Sequence, residues 1–333
     1  MWKKRNIEMK KKILVTGAAG FIGSHLTELL VKKGNDVKVF IHYNSRNMWG
    51  WLEDSECKSH IEVVSGDIRD YDSVLSAMSD CNIVYHLAAL IGIPYSYVSP
   101  QAYIKTNIDG TYNVLQAGKT LNIEQLIVTS TSETYGTAQY VPIDENHPVV
   151  GQSPYSATKI AADQLALSYF RSFNLPLKIV RPFNTYGPRQ SARAIIPTVI
   201  TQLLSGEKEL ALGNIHPTRD LTYIKDTVNG FYEITKSEKL FGEITNIGMG
   251  EEISIKNLIE LIAKLIGVKV KIIQDINRIR PEKSEVERLF CDNKKILDKT
   301  EWQPVFNLKK GLGETIQWVK SNLKYFKQGI YNV

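Results

Sequence analysis

Lys12-Ile-Leu-Val-Thr-Gly-Ala-Ala-Gly-Phe-Ile-Gly23 is the stretch that decides the fold. Its first five residues form a short apolar, β-rich run, and Gly17, Gly20 and Gly23 follow at a spacing of three. An amphipathic helical pattern then runs from Phe21 to Lys33 and stops at Gly34-Asn35. Glycines at a strand-to-helix turn let the backbone approach a pyrophosphate, and the free N–H groups at the helix start, those of Phe21, Ile22 and Gly23, hydrogen-bond its oxygens. Glycines also serve turns and close packing. The strand before and the helix after single out the dinucleotide reading.

Working outward, apolar runs alternate with helical stretches. Strands are predicted at Val37–Ile41, Ile61–Ser65, Ile83–Leu87, Leu126–Ser130 and Leu177–Arg181, and helices at Tyr71–Met78, Gln101–Thr120 and Tyr155–Phe173. This rhythm predicts an α/β fold, a Rossmann-type doubly wound parallel sheet covered on both faces. Beyond Arg181 the rhythm loosens around Pro182, Gly187-Pro188 and Pro197, and a closing helix near Leu312–Leu323 carries Trp318 on its apolar face. The expected organisation is a basic tail over 1–11 and a dinucleotide-binding domain over 12–182, rejoined near 221–247. A smaller, interleaved α+β substrate domain takes mainly 183–220 and 248–333.

The 333 residues suffice for a large core, and 43% hydrophobic with 23% charged residues excludes wholesale disorder. No apolar run has the length of a membrane helix, and the N-terminus lacks an apolar signal core, so a cytoplasmic setting and no membrane partner are expected. Cys57, Cys81 and Cys291 are too widely spaced for a disulfide framework or a metal motif, and His147 and His216 lack ligand-spaced partners, so no metal is expected. The net charge of +6 gathers partly in Met1–Lys12, read as a solvated tail, and no aromatic-interleaved basic patch points to nucleic acid.

The second strand ends in His42-Tyr43-Asn44-Ser45-Arg46, without the acid that holds an NAD ribose. Asn44, Ser45 and Arg46 suit a 2′-phosphate, which favours NADP while leaving NAD open. Tyr155 and Lys159 share one helical face, and an ammonium beside a phenol is expected to lower the phenol's pKa, making Tyr155 a base while Lys159 also holds the nicotinamide ribose. Thr131-Ser132-Glu133 follows the strand that ends at Ser130, over the crevice where such sheets bind ligands.

These pieces, with Gly66–Asp70 (GDIRD), His86–Ala89 (HLAA), Thr106–Thr111 (TNIDGT) and Arg181–Arg189 (RPFNTYGPR), resemble the extended short-chain dehydrogenase/reductases of the nucleotide-sugar epimerase and dehydratase type, over residues 12–325. The resemblance implies adenine contacts at Asp67 and Ile68 and further cofactor contacts at Leu87, Ala88, Ala89 and Pro182. Asp70 reads instead as a turn or cap residue. It also implies substrate contacts at Thr131, Glu133, Asn184, Arg193, Arg219 and Arg280, although Arg280–Arg288 is longer than the family's usual turn, leaving Glu285 and Glu287 without a clear role. Within the family, Thr-Ser-Glu marks 4,6-dehydratases and epimerases lack the acid. The implied reaction is C4 oxidation by Tyr155 with Thr131, loss of water across C5 and C6 through Glu133 oriented by Ser132, and hydride return to C6. At finer grain the chain resembles the 4,6-dehydratases of legionaminic-acid-type pathways, which implies GDP- or UDP-N-acetylglucosamine. The alternatives are a 4-epimerase on the same fold and a non-catalytic dinucleotide sensor. The long helices resemble those of the family's dimer interface, implying a homodimer, with a tetramer as the other outcome.

Overall fold

The computed structural model describes residues 11–275 and 281–326. Six strands, β1 (Lys12–Thr16), β2 (Asp36–His42), β3 (Ile61–Gly66), β4 (Ile83–His86), β5 (Gln125–Thr129) and β6 (Leu177–Pro182), lie in one parallel sheet. The short strands β7 (Asn184–Tyr186), β8 (Glu209–Leu212), β9 (Thr218–Arg219) and β10 (Leu221–Tyr223) lie outside it, and β11 (Ile244–Ile247) returns as its seventh strand. The order is β11-β6-β5-β4-β1-β2-β3, so the winding reverses between β1 and β4. Ligands bind such sheets in the crevice beyond the carboxyl ends at that reversal.

Period-two alternation assigns the two faces. Ile13, Val15, Val39, Ile41, Tyr85, Ile127 and Val180 enter one buried core with helices α1 (Phe21–Lys32) and α8 (Ile224–Lys236). Leu14, Phe40, Val84, Leu126, Val128 and Ile179 enter the other, against α2 (Tyr71–Met78), α5 (Gly110–Leu121) and α6 (Pro154–Phe173). Both faces being covered explains why the strands read as continuous apolar runs. Truncating such a residue, Leu126→Ala for example, costs ~2–5 kcal/mol.

Asp70 caps α2, accepting from Asp72 N at 3.2 Å and Ser73 Oγ at 2.9 Å, as expected. The single helix expected over Gln101–Thr120 is instead a composite. After α3 (Ile93–Val98) come α4 (Pro100–Tyr103), a π-helical turn (Ile104–Asp109) and then α5. A single π-turn keeps the chain helical over Pro100–Leu121 and is too short to set a period of its own, so it escapes a periodicity reading.

The remaining strands pair β7 with β10, β8 with β13 (Lys271–Gln274) and β9 with β12 (Ile253–Ser254). They pack with α7 (Ile195–Leu204), α9 (Ile255–Ile266) and α11 (Leu308–Ser321), while α10 (Lys294–Lys299) lies near β11. The loop after β2 folds back over the glycine turn, with Trp51 N donating to Ala19 O at 3.2 Å. Trp51 meets Trp318 of α11 and Tyr325 edge-on at 5.4 and 5.3 Å, and Tyr325 OH donates to Asp54 at 2.8 Å. Among the described residues no helix is long and apolar enough to cross a membrane.

Candidate active site

The three glycines do three different jobs. Gly17 has φ +69°, and a Cβ there would sit 2.7 Å from Ala88 N. Gly20 is the N-cap of α1 and would meet only Gly17 O, at 3.3 Å. A Cβ on Gly23 would lie 2.3 Å from Gly17 O, so this glycine lets α1 close onto the turn. No side chain caps α1 and its first turn holds no acid, which leaves Phe21 and Ile22 presenting N–H groups suited to a pyrophosphate. This donor set and the Cβ-free cradle fit a dinucleotide.

Beneath the turn, a buried chain of hydrogen bonds fixes one tautomer. Thr16 Oγ1 accepts from Leu87 N and Ala88 N, both at 3.1 Å, so its own proton goes to His86 Nδ1 at 3.0 Å. His86 then carries its hydrogen on Nε2 and donates to Thr111 Oγ1 at 3.1 Å, which donates to Asn107 O. Burial, aided by the Lys159 charge, lowers His86 to about 3 and keeps it neutral.

In the loop after β2, expected to meet the adenosine, Asn44 folds its own loop through hydrogen bonds to Met48, placing Ser45 and Arg46 exposed at the tip. Asp67 is clasped by Arg69, which holds its carboxyl down at about 2. Ile68 is buried against Gly110, and Pro182 is buried at the end of β6. Ala88 lies against Gly17, and Ala89 follows it, half-buried.

At the chemical end, a capping box between Ser153 and Ser156, with Pro154 in the first turn, starts α6 just before Tyr155. Tyr155 and Lys159 are both buried under the end of β5. Burial pushes the Tyr155 phenol up; contact with the Thr131 hydroxyl pulls it down and the charge of Glu133 raises it again. The expected lowering by Lys159 is not what this structure has. Lys159 Nζ donates to Thr129 O at 2.7 Å, and desolvation of the phenol outweighs its neighbours. Burial likewise lowers Lys159, opposed by Asp163.

Thr131 caps the short 3-10 turn Ser132–Tyr135, accepting from Glu133 N at 3.2 Å. Ser132 is buried in that turn and Glu133 half-buried. The π-turn supplies a residue to which the sequence reading gave no role. Asn107 accepts from Leu90 N at 2.9 Å and donates to Leu90 O at 3.0 Å and Thr158 Oγ1 at 3.1 Å, locking the loop after β4 onto the turn of α6 between Tyr155 and Lys159. Its signal was the TNIDGT match itself.

The residues expected on the substrate side each have their own surroundings. Asn184 Oδ1 is buried with no hydrogen-bond partner. Arg193 reaches toward Gly92 and Tyr103, whose ring packs edge-on to Tyr155 at 6.2 Å. Arg219 is buried, donating to Thr218 O at 2.9 Å and pairing with Glu285 at 3.4 Å, which gives Glu285 a place. Glu287 N donates to Thr137 Oγ1 at 3.2 Å, and Gln152 holds Lys283 O and Glu285 O, so the long segment is strapped down. Arg280 lies outside the described residues. Among the described residues no three His, Cys, Asp or Glu side chains form a metal-binding group.

A phosphate turn after β1 and a Thr–Tyr–Lys set at the end of β5, both at the carboxyl ends of one parallel sheet, define a nicotinamide-dependent enzyme of the extended short-chain dehydrogenase/reductase class. Residues 14–315 match the family described as GDP-mannose 4,6 dehydratase, and the chain belongs to that family of nucleotide-sugar enzymes. It is 30% identical to a dTDP-glucose 4,6-dehydratase of Streptomyces antibioticus over 319 residues, covering 95% of this chain and 94% of the relative. It is also 31% identical to a putative UDP-glucose 4-epimerase of Methanocaldococcus jannaschii over 315 residues, 93% and 99% of the two chains. The dTDP-glucose 4,6-dehydratase of Streptomyces venezuelae, solved with NAD bound, superposes with a TM-score of 0.85 at 28% identity, covering 95% of this chain and 99% of that one.

Proposed function

We propose that this protein is a nucleotide-sugar 4,6-dehydratase that converts GDP- or UDP-N-acetylglucosamine to the 4-keto-6-deoxy sugar, a step suited to legionaminic-acid-type synthesis. One observation carries the reading. Glu133 sits two residues past Thr131 in a turn pinned by the Thr131 hydroxyl, close enough for its charge to act on Tyr155. A carboxylate and a phenol facing one sugar provide two bases for two different protons.

In this reading Tyr155 takes the C4 hydroxyl proton while Thr131 hydrogen-bonds the same oxygen. The bound nicotinamide supplies the hydride acceptor for C4 and the donor for C6. The C4 ketone acidifies C5–H; Glu133 takes that proton and hands it to the C6 oxygen, which leaves as water, and a solvent proton completes C5. Ser132, a poor acid, shapes the turn that aims Glu133. Asn184, Arg193, Arg219 and Arg280 contact the nucleotide diphosphate, as guanidinium chemistry suits. Ser45 and Arg46, with no acid at the end of β2, support NADP over NAD. Ile104 in the π-helical turn, Tyr112 on α5 and Phe173 on α6 are exposed apolar side chains on the helices assigned to a homodimer.

The test is product mass after incubation with each nucleotide sugar. Loss of one water from either establishes the dehydratase and names its base. The Glu133→Gln variant is expected to oxidise C4 and lose no water; full dehydration by that variant overturns the assignment. Because an epimerase is among the relatives, an unchanged mass with inversion at C4 by NMR gives the second reading.

A further inference from the structure

Lys159 is not alone in the dry space under the site. Asp163, one turn further along α6, is fully buried, and its Oδ2 accepts from Ser130 Oγ at 2.6 Å, Arg181 Nη2 at 2.8 Å and Arg181 Nε at 3.2 Å. Its Oδ1 is buried without a hydrogen-bond partner, as is Arg181 Nη1. Arg181 lies 4.7 Å over the Tyr135 ring, whose hydroxyl is held by Asn246 at 2.8 Å. Arg181 is thus the ion-pair partner of this carboxylate, while Lys159, one helical turn back and also buried, donates to Thr129 O and feels the Asp163 charge without touching it.

The other groups bearing on Lys159 are His86 from β4, which is neutral, the Thr129 carbonyl of β5 and Tyr155 of its own helix, on which Glu133 acts in turn. An isolated buried ion pair seldom stabilises a fold more than apolar side chains of the same volume. A pair placed one helical turn from a buried catalytic ammonium calls for another explanation.

We propose that Asp163 is a positioning residue for the reaction, the shared counter-ion of Lys159 and Arg181, with Arg181 limiting how much of its charge reaches Lys159. Through Ser130 the same carboxylate fixes the end of β5, from which Thr131 projects. Burial acts against the Lys159 charge and Asp163 sustains it, in keeping with this role. The inference rests on the assignment of Tyr155 and Lys159 to C4 oxidation, which a dehydratase and an epimerase share.

The experiment is the pH profile of kcat for purified holoenzyme variants, on whichever nucleotide sugar the wild type converts. Asp163→Asn keeps a hydrogen-bonding shape without the charge, and its alkaline limb is expected to move at least one pH unit toward acid, a loss that approaches tenfold well above the wild-type limb. Arg181→Met frees Asp163 for Lys159 and moves that limb the other way. Ser130→Ala removes a hydrogen bond and no charge and leaves the limb in place. If Asp163→Asn fails to fold, the Asp163→Asn/Arg181→Met double variant, which removes both charges of the pair, carries the same acid-ward expectation. Limbs that stay put in all variants, or move together in one direction, overturn the proposal. Product mass reports separately on dehydration, so the two readings fail independently.

Discussion

Gly23→Ala sets two effects against each other. Gly23 lies in the first turn of α1, where alanine gains about 1 kcal/mol of helix propensity. Its Cβ, however, would lie 2.3 Å from Gly17 O, 2.8 Å from Ala18 Cα and 2.9 Å from the Gly17 carbonyl carbon. A comfortable carbon–oxygen contact is about 3.3 Å, so α1 must retreat by roughly 1 Å. All three neighbours are backbone atoms, and no rotamer change relieves them. Overpacking of this kind costs ~1–3 kcal/mol, and the rigid contact puts it at the upper end. The clash wins, leaving a net loss of about 1–2 kcal/mol and a melting temperature lower by a few degrees. The same retreat pulls the helix-start N–H groups off the pyrophosphate, so dinucleotide affinity is expected to fall at least tenfold, about 1.4 kcal/mol. Thermal unfolding without cofactor and a calorimetric titration with NAD and NADP read the two quantities. Gly20→Ala is the control. Its Cβ meets only Gly17 O at 3.3 Å and the residue has an extended backbone, so stability without cofactor should stay within ~0.5 kcal/mol of wild type. A Gly23→Ala protein that melts at or above the wild type, or binds the dinucleotide as tightly, refutes the reasoning.

Acid should weaken the fold through His86. Its folded value, about 3, lies below the unfolded value of 6.5, so the unfolded chain binds the extra proton and stability is lost as pH falls through that window. Between pH 6 and pH 4 the wild type should lose ~1.4 kcal/mol per pH unit more than His86→Gln, read from urea midpoints at each pH; parallel curves would contradict the buried neutral imidazole. Asp220 accepts from Met249 N at 2.8 Å, Gly250 N at 2.9 Å and Cys291 N at 3.3 Å. Asp220→Asn turns an NH2 toward at least one of these donors and should cost about 1–3 kcal/mol or more in denaturant unfolding.

The sheet and its helices were legible because burial on both faces writes continuous apolar runs, and Tyr71–Met78 was bounded by its own cap, Asp70. Four things lay beyond the sequence. A π-turn hides inside helical spacing, which is why Asn107 had no role before its contacts with Leu90 and Thr158 were visible. The spacing of Tyr155 and Lys159 fixed their shared face but not the direction of the ammonium, which tertiary packing sends to Thr129 O. Arg219 is matched by motif, yet its partner Glu285 is supplied by a segment 66 residues away. Glycine spacing, similarly, located the phosphate turn without saying which glycine serves conformation and which serves packing.

The Trp51 loop ties the glycine turn to α11 and the segment after it, since Tyr325 reaches Asp54 across a sequence separation of 271 residues. On the ribosome Asp54 therefore precedes Tyr325 by 271 residues. The glycine turn and its strand emerge before the aromatic brace over them, which comes with α11 and Tyr325. A nascent chain therefore holds this loop without its aromatic brace while the intervening residues are made, and the brace forms only once both segments are present.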